Sequence, residues 1–292
     1  MPLDTGIHAI PRLKGDERLA PLGKPHRMWV VGSIFGKYGA LCQLHDALVH
    51  KIRARDRIVY LGNYLGEHSN WTGEATAVID ELITFRNGVI AIPGFFADDV
   101  TFLHGRGEDL LHEALRLPFQ KNPGIWLMEA KRFGLECYTN AYGAIDIDTI
   151  AQAGLINMNK WTHHIKHMIS SHKGHEQFFA NLKTAAYTQY KPRQNNLKQR
   201  DIAFVPTGLH PAYSLNVQHE LLCWPEEDIH ALTAYQPFAR IVRGQALTCT
   251  LPEKNRYVLT LDDGKGASGD MGGTLYAACL DAHGNILEWL EF

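Results

Sequence analysis

The chain has 292 residues, 45% of them hydrophobic and 21% charged, with a formal net charge of −2. That length and composition fit one large soluble globular domain with a full core. The near-zero charge argues against a nucleic-acid or membrane partner, and the longest apolar runs are strand-length, too short to span a bilayer. The five cysteines, Cys42, Cys137, Cys223, Cys249 and Cys279, are scattered and odd in number, and the N-terminus is polar, with Asp4, Arg12, Lys14 and Asp16. Together these predict reduced thiols and a cytoplasmic location.

Residues 1–25 read as an arm, because Pro2, Pro11, Pro21 and Pro25 break regular structure, and residues 26–292 read as a single domain. The first strand is expected over Met28 to Val31. A helix over about Gly39 to Lys51 follows, with Leu41, Leu44 and Leu48 on one face. The second strand ends at Leu61. The next helix is expected from Thr72, its N-cap, to Arg86, with an apolar stripe of Ala75, Val78, Ile79, Leu82 and Ile83. Asn87-Gly88 then turns the chain into a third strand over Val89 to Ile92. This alternation predicts a central sheet with helices on its faces.

From about 98 to 187 the pattern is mostly helical. Leu103, Leu110, Leu111 and Leu115 suggest one helix, Trp126, Met128 and Phe133 a second, and Asp146 starts a third. Tyr190 to Asp201, with Lys191, Arg193, Lys198 and Arg200, reads as an exposed loop with a solvated basic face. Strands dominate from Ile202 onward, interrupted by a helix around Pro225 to Thr233.

Five of the predicted strands run straight into a glycine turn: Val30-Val31-Gly32-Ser33-Ile34-Phe35-Gly36, Leu61-Gly62-Asn63-Tyr64-Leu65-Gly66, Ile92-Pro93-Gly94-Phe95-Phe96, Val205-Pro206-Thr207-Gly208, and Val242-Arg243-Gly244-Gln245. Ligands of α/β proteins bind at the carboxyl ends of strands, so five such turns predict one common site.

In order and spacing these turns resemble those of the calcineurin-like metallophosphoesterases, in particular the bacterial serine/threonine protein phosphatase group. That family carries Gly-Asp-x-His-Gly, Gly-Asp-x-x-Asp-Arg-Gly, Gly-Asn-His-Glu, His-Ala-Gly and Gly-His-Thr at the successive turns. Further likeness lies in His175-Glu176-Gln177-Phe178-Phe179, in Pro211-Ala212-Tyr213-Ser214-Leu215 with Gln218 and Trp224, and in Leu261-Asp262-Asp263-Gly264 followed by Gly272-Gly273-Thr274-Leu275. It runs from about Met28 to the end of the chain. The resemblance implies a four-layer α/β/β/α sandwich with a helical insertion at about 98–187.

The glycines match and the chemistry does not. The first turn's aspartate and histidine fall on Ser33 and Phe35, and the bridging aspartate on Asn63. The phosphate-gripping arginine falls on Glu67, the third turn's asparagine and general-acid histidine on Phe95 and Phe96, and the last two histidines on Pro206 and Gln245. Divalent cations need carboxylate oxygens and imidazole nitrogens. None stands at a matched ligand position, so neither metal nor other cofactor is expected. The resemblance then implies a pseudophosphatase, in which the three phenylalanines plug the old cleft and a protein partner is bound instead.

Two competing readings remain open. One is an active phosphoesterase with a relocated or metal-free site using Asp98, Asp99 and His104. The other is a small-molecule binding protein using the remodelled cleft. His163 and His167 are one helical turn apart among His164, His172 and His175, a spacing able to hold a metal, although a polar helix face explains them more simply. His210 stands where the family has an arginine. Gly264, Gly266, Gly269, Gly272 and Gly273 match no nucleotide fingerprint.

Overall fold

A computed structural model describes residues 17–66, 75–189, 201–245, 257–262 and 273–292. Its centre is a pair of five-stranded sheets. In the first, β2 (Arg27–Val31), β3 (Arg57–Tyr60) and β4 (Val100–Phe102) are parallel, and β9 (Tyr276–Asp281) and β10 (Ile286–Glu291) complete the order β10-β9-β2-β3-β4 by antiparallel pairing. In the second, the order is β1-β5-β6-β7-β8, formed by β1 (Leu19–Gly23), β5 (Ala185–Thr188), β6 (Asp201–Val205), β7 (Phe238–Arg243) and β8 (Val258–Thr260), with β6, β7 and β8 parallel.

Successive strand residues point to opposite faces, and this alternation builds the layers. Met28, Val30, Val59 and Leu61 of the first sheet meet Ile202, Phe204, Val242 and Leu259 of the second in a shared core. Trp29, Val31, Ile58 and Tyr60 point away from it into a helical layer. That layer holds α1 (Tyr38–Val49), α2 (Ala75–Ala91), α3 (Arg106–Ala114), α4 (Pro123–Arg132), α5 (Leu135–Ala141), α6 (Ile147–Ala151), α7 (Leu155–Ser171) and α8 (His175–Ala180). On the far side, Ala203, Val205 and Ile241 pack with Leu222 of the short α9 (His219–Cys223) and with Leu215 and Ile229. The molecule is thus a four-layer α/β/β/α sandwich.

Three expectations are corrected. The segment Val89 to Ile92 is not a strand, because α2 runs through Asn87-Gly88 to Ala91. Val78, Leu82, Phe85 and Val89 recur on one buried face, and their burial outweighs the roughly 1 kcal/mol that a helical glycine costs. The third strand is β4, inside the stretch expected to be helical, so the helical stretch that follows it in the chain runs only from Arg106 to Ala180.

The second correction concerns the arm, whose residues 19–23 form β1. Pro21 is tolerated because β1 is an edge strand and Pro21 is exposed on it, while Leu19 and Leu22 are buried. The third concerns Pro225 to Thr233, which is not helical; the helix there is α9, which stops before Pro225. Thr72, the basic loop from Lys191 to Arg200, Cys249 and the glycines Gly264 to Gly272 lie outside the described residues. Among the described residues no helix is long and apolar enough to cross a membrane.

Candidate functional site

The turns after β2, β3, β6 and β7 meet at the carboxyl ends of the parallel strands. Their backbones interlock in pairs. Ile34 and Phe35 N–H donate to the Asn63 carbonyl at 3.1 and 2.8 Å, and Gly244 and Gln245 N–H donate to the Pro206 carbonyl at 3.1 and 2.8 Å. A Cβ on Gly244 would stand 2.8 Å from Leu61 Cβ and 3.1 Å from Ser33 Oγ, so only glycine lets the turns of the two sheets touch.

At that contact three neutral side chains bond to one another. Asn63 Nδ2 donates to Ser33 Oγ at 3.2 Å and to Gln245 Oε1 at 3.3 Å. Asn63 Oδ1 accepts from Gly107 N–H at 3.2 Å, which fixes the orientation of the carboxamide. All three side chains are buried. Asn63 holds a left-handed backbone, φ 56°, which asparagine tolerates better than most residues. Phe35 holds one too, φ 48°, a strained conformation for an aromatic residue. Its ring lies outside the three core clusters, 5.9 Å from Lys37 Nζ, which donates to the Thr274 carbonyl at 3.2 Å.

The third turn is not where the sequence reading put it. It follows β4, as Leu103-His104-Gly105-Arg106-Gly107-Glu108. A Cβ on Gly105 would lie 2.4 Å from Asn63 N, so this turn is wedged against the second. Glu108 ties the two together from inside. Its Oε2 accepts from Asn63 N–H and Gly105 N–H, both at 2.8 Å, and its Oε1 accepts from Tyr64 N–H at 2.9 Å and from Tyr138 Oη at 2.6 Å. Gly105-Arg106-Gly107-Glu108 therefore occupies the place that the sequence reading gave to Gly94-Phe95-Phe96. Phe95 packs in the helical core instead, and Phe96 is 71% exposed, so neither plugs the cleft.

Arg106 lies over the Trp224 ring, with Cζ 4.5 Å from its centroid. Trp224 Nε1 donates to Asp109 Oδ2 at 2.8 Å, and His104 Nε2 approaches Asp109 Oδ1 at 3.5 Å. Burial pushes the Asp109 carboxyl up, but the nearby His104 imidazole and the hydrogen bond from Trp224 outweigh it and hold the group below the usual carboxylate range. Cys223, buried beside them, has its thiol pushed well up by burial, which makes it a poor nucleophile.

Asp98 and Asp99 do not join His104, because they flank the opposite end of β4. Asp98 is exposed, while Asp99 is buried, paired with Arg57 at 2.6 Å and accepting from Phe96 N–H at 2.9 Å. His163 and His167 are exposed on α7. His175 is buried between Tyr142 Oη at 2.7 Å and Asp80 at 3.1 Å. Among the described residues no three His, Cys, Asp or Glu side chains are grouped to hold a metal ion. His210 is a structural turn residue, its Nδ1 accepting from Ala212 N–H at 3.2 Å. Glu67 lies outside the described residues.

Sequence reasoning missed Arg106, Gly107 and Glu108. The available signal was a second glycine turn, Gly105 after Gly94, directly behind the apolar run Val100 to Leu103.

The residues at this site do not fit a pair of divalent cations. Such ions need converging lone pairs from carboxylates and imidazoles. Here the centre is an N–H donor, the carboxamide nitrogen of Asn63. The carboxylate of Glu108, which accepts from the Asn63 backbone, is taken up by four hydrogen bonds.

No protein-family model matches the chain, and no curated protein matches it. Among solved structures the chain is similar to a protein provisionally described as a diadenosine tetraphosphatase, at 14% identity and a TM-score of 0.49, over 94% of this chain and 97% of that one. It is likewise similar to a protein serine/threonine phosphatase from Saccharomyces cerevisiae, itself described as similar to human phosphatase PP5, at 12% identity and a TM-score of 0.49, over 94% of this chain and 83% of that one. Both likenesses concern the fold alone.

Proposed function

We propose that the chain is a degenerate metallophosphoesterase, related to the bacterial serine/threonine phosphatase group, that performs no hydrolysis and acts by binding. The observation that carries this reading is the buried hydrogen-bonded set of Ser33, Asn63 and Gln245, in which Asn63 donates to the other two. Where the resemblance calls for aspartate, aspartate and histidine around two cations, the side chains are neutral and Asn63 bonds to the other two. Arg106 and Gly107 stand in place of the third turn's asparagine and histidine. With Pro206 and Phe35, every matched ligand position has lost its metal-binding group.

The turn glycines survive for a different reason, because they let the turns pack. Losing the metals while keeping the turns preserves the sandwich and abandons the reaction. A protein partner is favoured by apolar side chains left in water on the helical layer: Phe119, Ile125 and Ile156 are 86, 63 and 73% exposed.

The test is elemental mass spectrometry of the purified protein after manganese loading, with a phosphomonoesterase assay on the same sample. The reading expects metal well below one ion per chain and no turnover. Near-stoichiometric metal with turnover abolished by Asn63→Ala would overturn it.

A further inference from the structure

The histidines of α7 lie outside the glycine turns, and the fold gives two of them the same outlook. The inner face of this helix is fixed: Met158, Trp161, Ile165 and Ile169 are buried in the helical core, Trp161 Nε1 donates to the Ile145 carbonyl at 2.9 Å, and Thr162 Oγ1 donates to the Met158 carbonyl at 2.9 Å. The outer face carries His163, His164 and His167, all exposed. Successive helical residues turn by about 100°, so His163 and His167 point about 40° apart, one turn above the other, with Cβ atoms about 6 Å apart. His164 points about 100° away from His163. Its Nε2 lies 3.0 Å from the Gly143 carbonyl, which turns that ring toward the loop after α5.

His163 and His167 are not committed in this way. Among the described residues neither imidazole makes a hydrogen bond or an ion pair, so both rings are free to rotate in water. Two ring nitrogens on neighbouring turns reach the separation of roughly 3.3 Å that a tetrahedral cation with bonds of about 2.0 Å requires. The charges of α7 sort the cations it accepts. The helix has no aspartate or glutamate, and its charged residues, Lys160 and Lys166, are exposed and cationic. Magnesium, calcium and manganese, which depend on carboxylate oxygens, find no carboxylate on this helix. Zinc, nickel and copper bind imidazole nitrogen.

We propose that His163 and His167 form a site for zinc or a similar nitrogen-binding divalent cation, with two protein ligands on an anchored helix. The remaining positions are open to water and to a donor brought by an incoming molecule. The buried inner face holds the two residues at their spacing before the cation arrives, so ordering costs only the rotamers of two side chains. The site shares no residue with the glycine turns, and manganese loading does not fill it. The proposal therefore stands or falls separately from the loss of the phosphoesterase centre.

The experiment is calorimetric titration of the full chain with zinc chloride in a non-chelating buffer, with melting temperatures measured on the same samples. His163→Ala, His167→Ala and His164→Ala are titrated alongside. All three residues are exposed and alanine favours a helix, so the variants fold, and their melting temperatures without zinc check it. The expected result is saturable binding of close to one zinc per chain, with a rise in melting temperature that follows saturation. His163→Ala and His167→Ala should each weaken that binding about tenfold or more and remove the rise. His164→Ala, the control for zinc picked up by scattered histidines, should leave both unchanged. Absence of saturable binding up to about 1 mM zinc overturns the proposal. So does binding that survives the loss of either imidazole of the pair, or that His164→Ala weakens as much as the other two.

Discussion

The carboxamide of Asn63 donates to Gln245 Oε1 across 3.3 Å, joining a turn of the first sheet to a turn of the second. A bond of this kind needs a donor at residue 63. Asn63→Asp keeps the size and tolerates the left-handed backbone, so the backbone cost is nearly nil. It replaces a donor with a second acceptor facing Gln245 Oε1 in a buried cluster. The expected loss is about 1–3 kcal/mol at pH 7 in denaturant unfolding. The same substitution alone should not create a metal site, and a manganese-dependent rise in melting temperature would contradict that.

Glu108 receives four hydrogen bonds, three of them from backbone N–H groups of two different turns. Glu108→Gln replaces one acceptor oxygen by an NH2 that must face donors. Bonds to a charged acceptor are worth more than neutral ones, and a buried donor left unmade carries its full desolvation cost. Glu108→Gln should cost about 3 kcal/mol or more, and Tyr138→Phe, which removes one donor, about 1–2 kcal/mol. Equal small losses in both would mean that the turns are held by backbone bonds alone.

Much of the sandwich was legible because continuous apolar runs and helical periodicity report burial directly. Met28 to Val31, Ile58 to Tyr60 and Ile202 to Val205 show it, as do Leu41, Leu44 and Leu48 on α1. The third strand was not legible, because a short apolar run bounded by glycine reads equally as strand or helix end. Val89 to Ile92 had the composition of a strand, yet the preceding stripe of α2 continued through it. Val100 to Phe102 is only three residues, too short to announce itself. The misplaced turn carried the site error with it: Ser33, Asn63, Pro206 and Gln245 converge, whereas Phe95 and Phe96 belong elsewhere. Glu108 escaped notice because its role depends on donors 44 and 45 residues away.

The two phenylalanines give a direct check on the corrected turn. Phe95 is buried in the helical core and Phe96 stands 71% in water. Phe95→Ala should cost about 3–4 kcal/mol, and Phe96→Ala should fall within about 0.5 kcal/mol of the parent. Chemical denaturation of the two variants separates this from a plugged cleft, which requires both losses to be large.

His45 makes stability depend on pH. Its ring is buried, Nδ1 lies 2.6 Å from Glu81 Oε1, and Nε2 lies 2.8 Å from Tyr60 Oη. Burial lowers its pKa to about 3, so the native ring stays neutral, donating from Nδ1 and accepting at Nε2. In the unfolded chain a histidine takes up its proton near pH 6.5. Above that pH both states are neutral and the residue adds no pH dependence. Below it only the unfolded state binds the proton, so stability falls as pH falls, by about 1.4 kcal/mol per unit. From pH 7 to pH 5 this one residue should remove about 2 kcal/mol. His45→Gln keeps a donor and an acceptor but cannot titrate. The difference in unfolding free energy between parent and variant should therefore shift by about 2 kcal/mol in favour of the variant over that interval. Parallel pH profiles would instead mean that His45 is protonated in the native state, its charge held by Glu81.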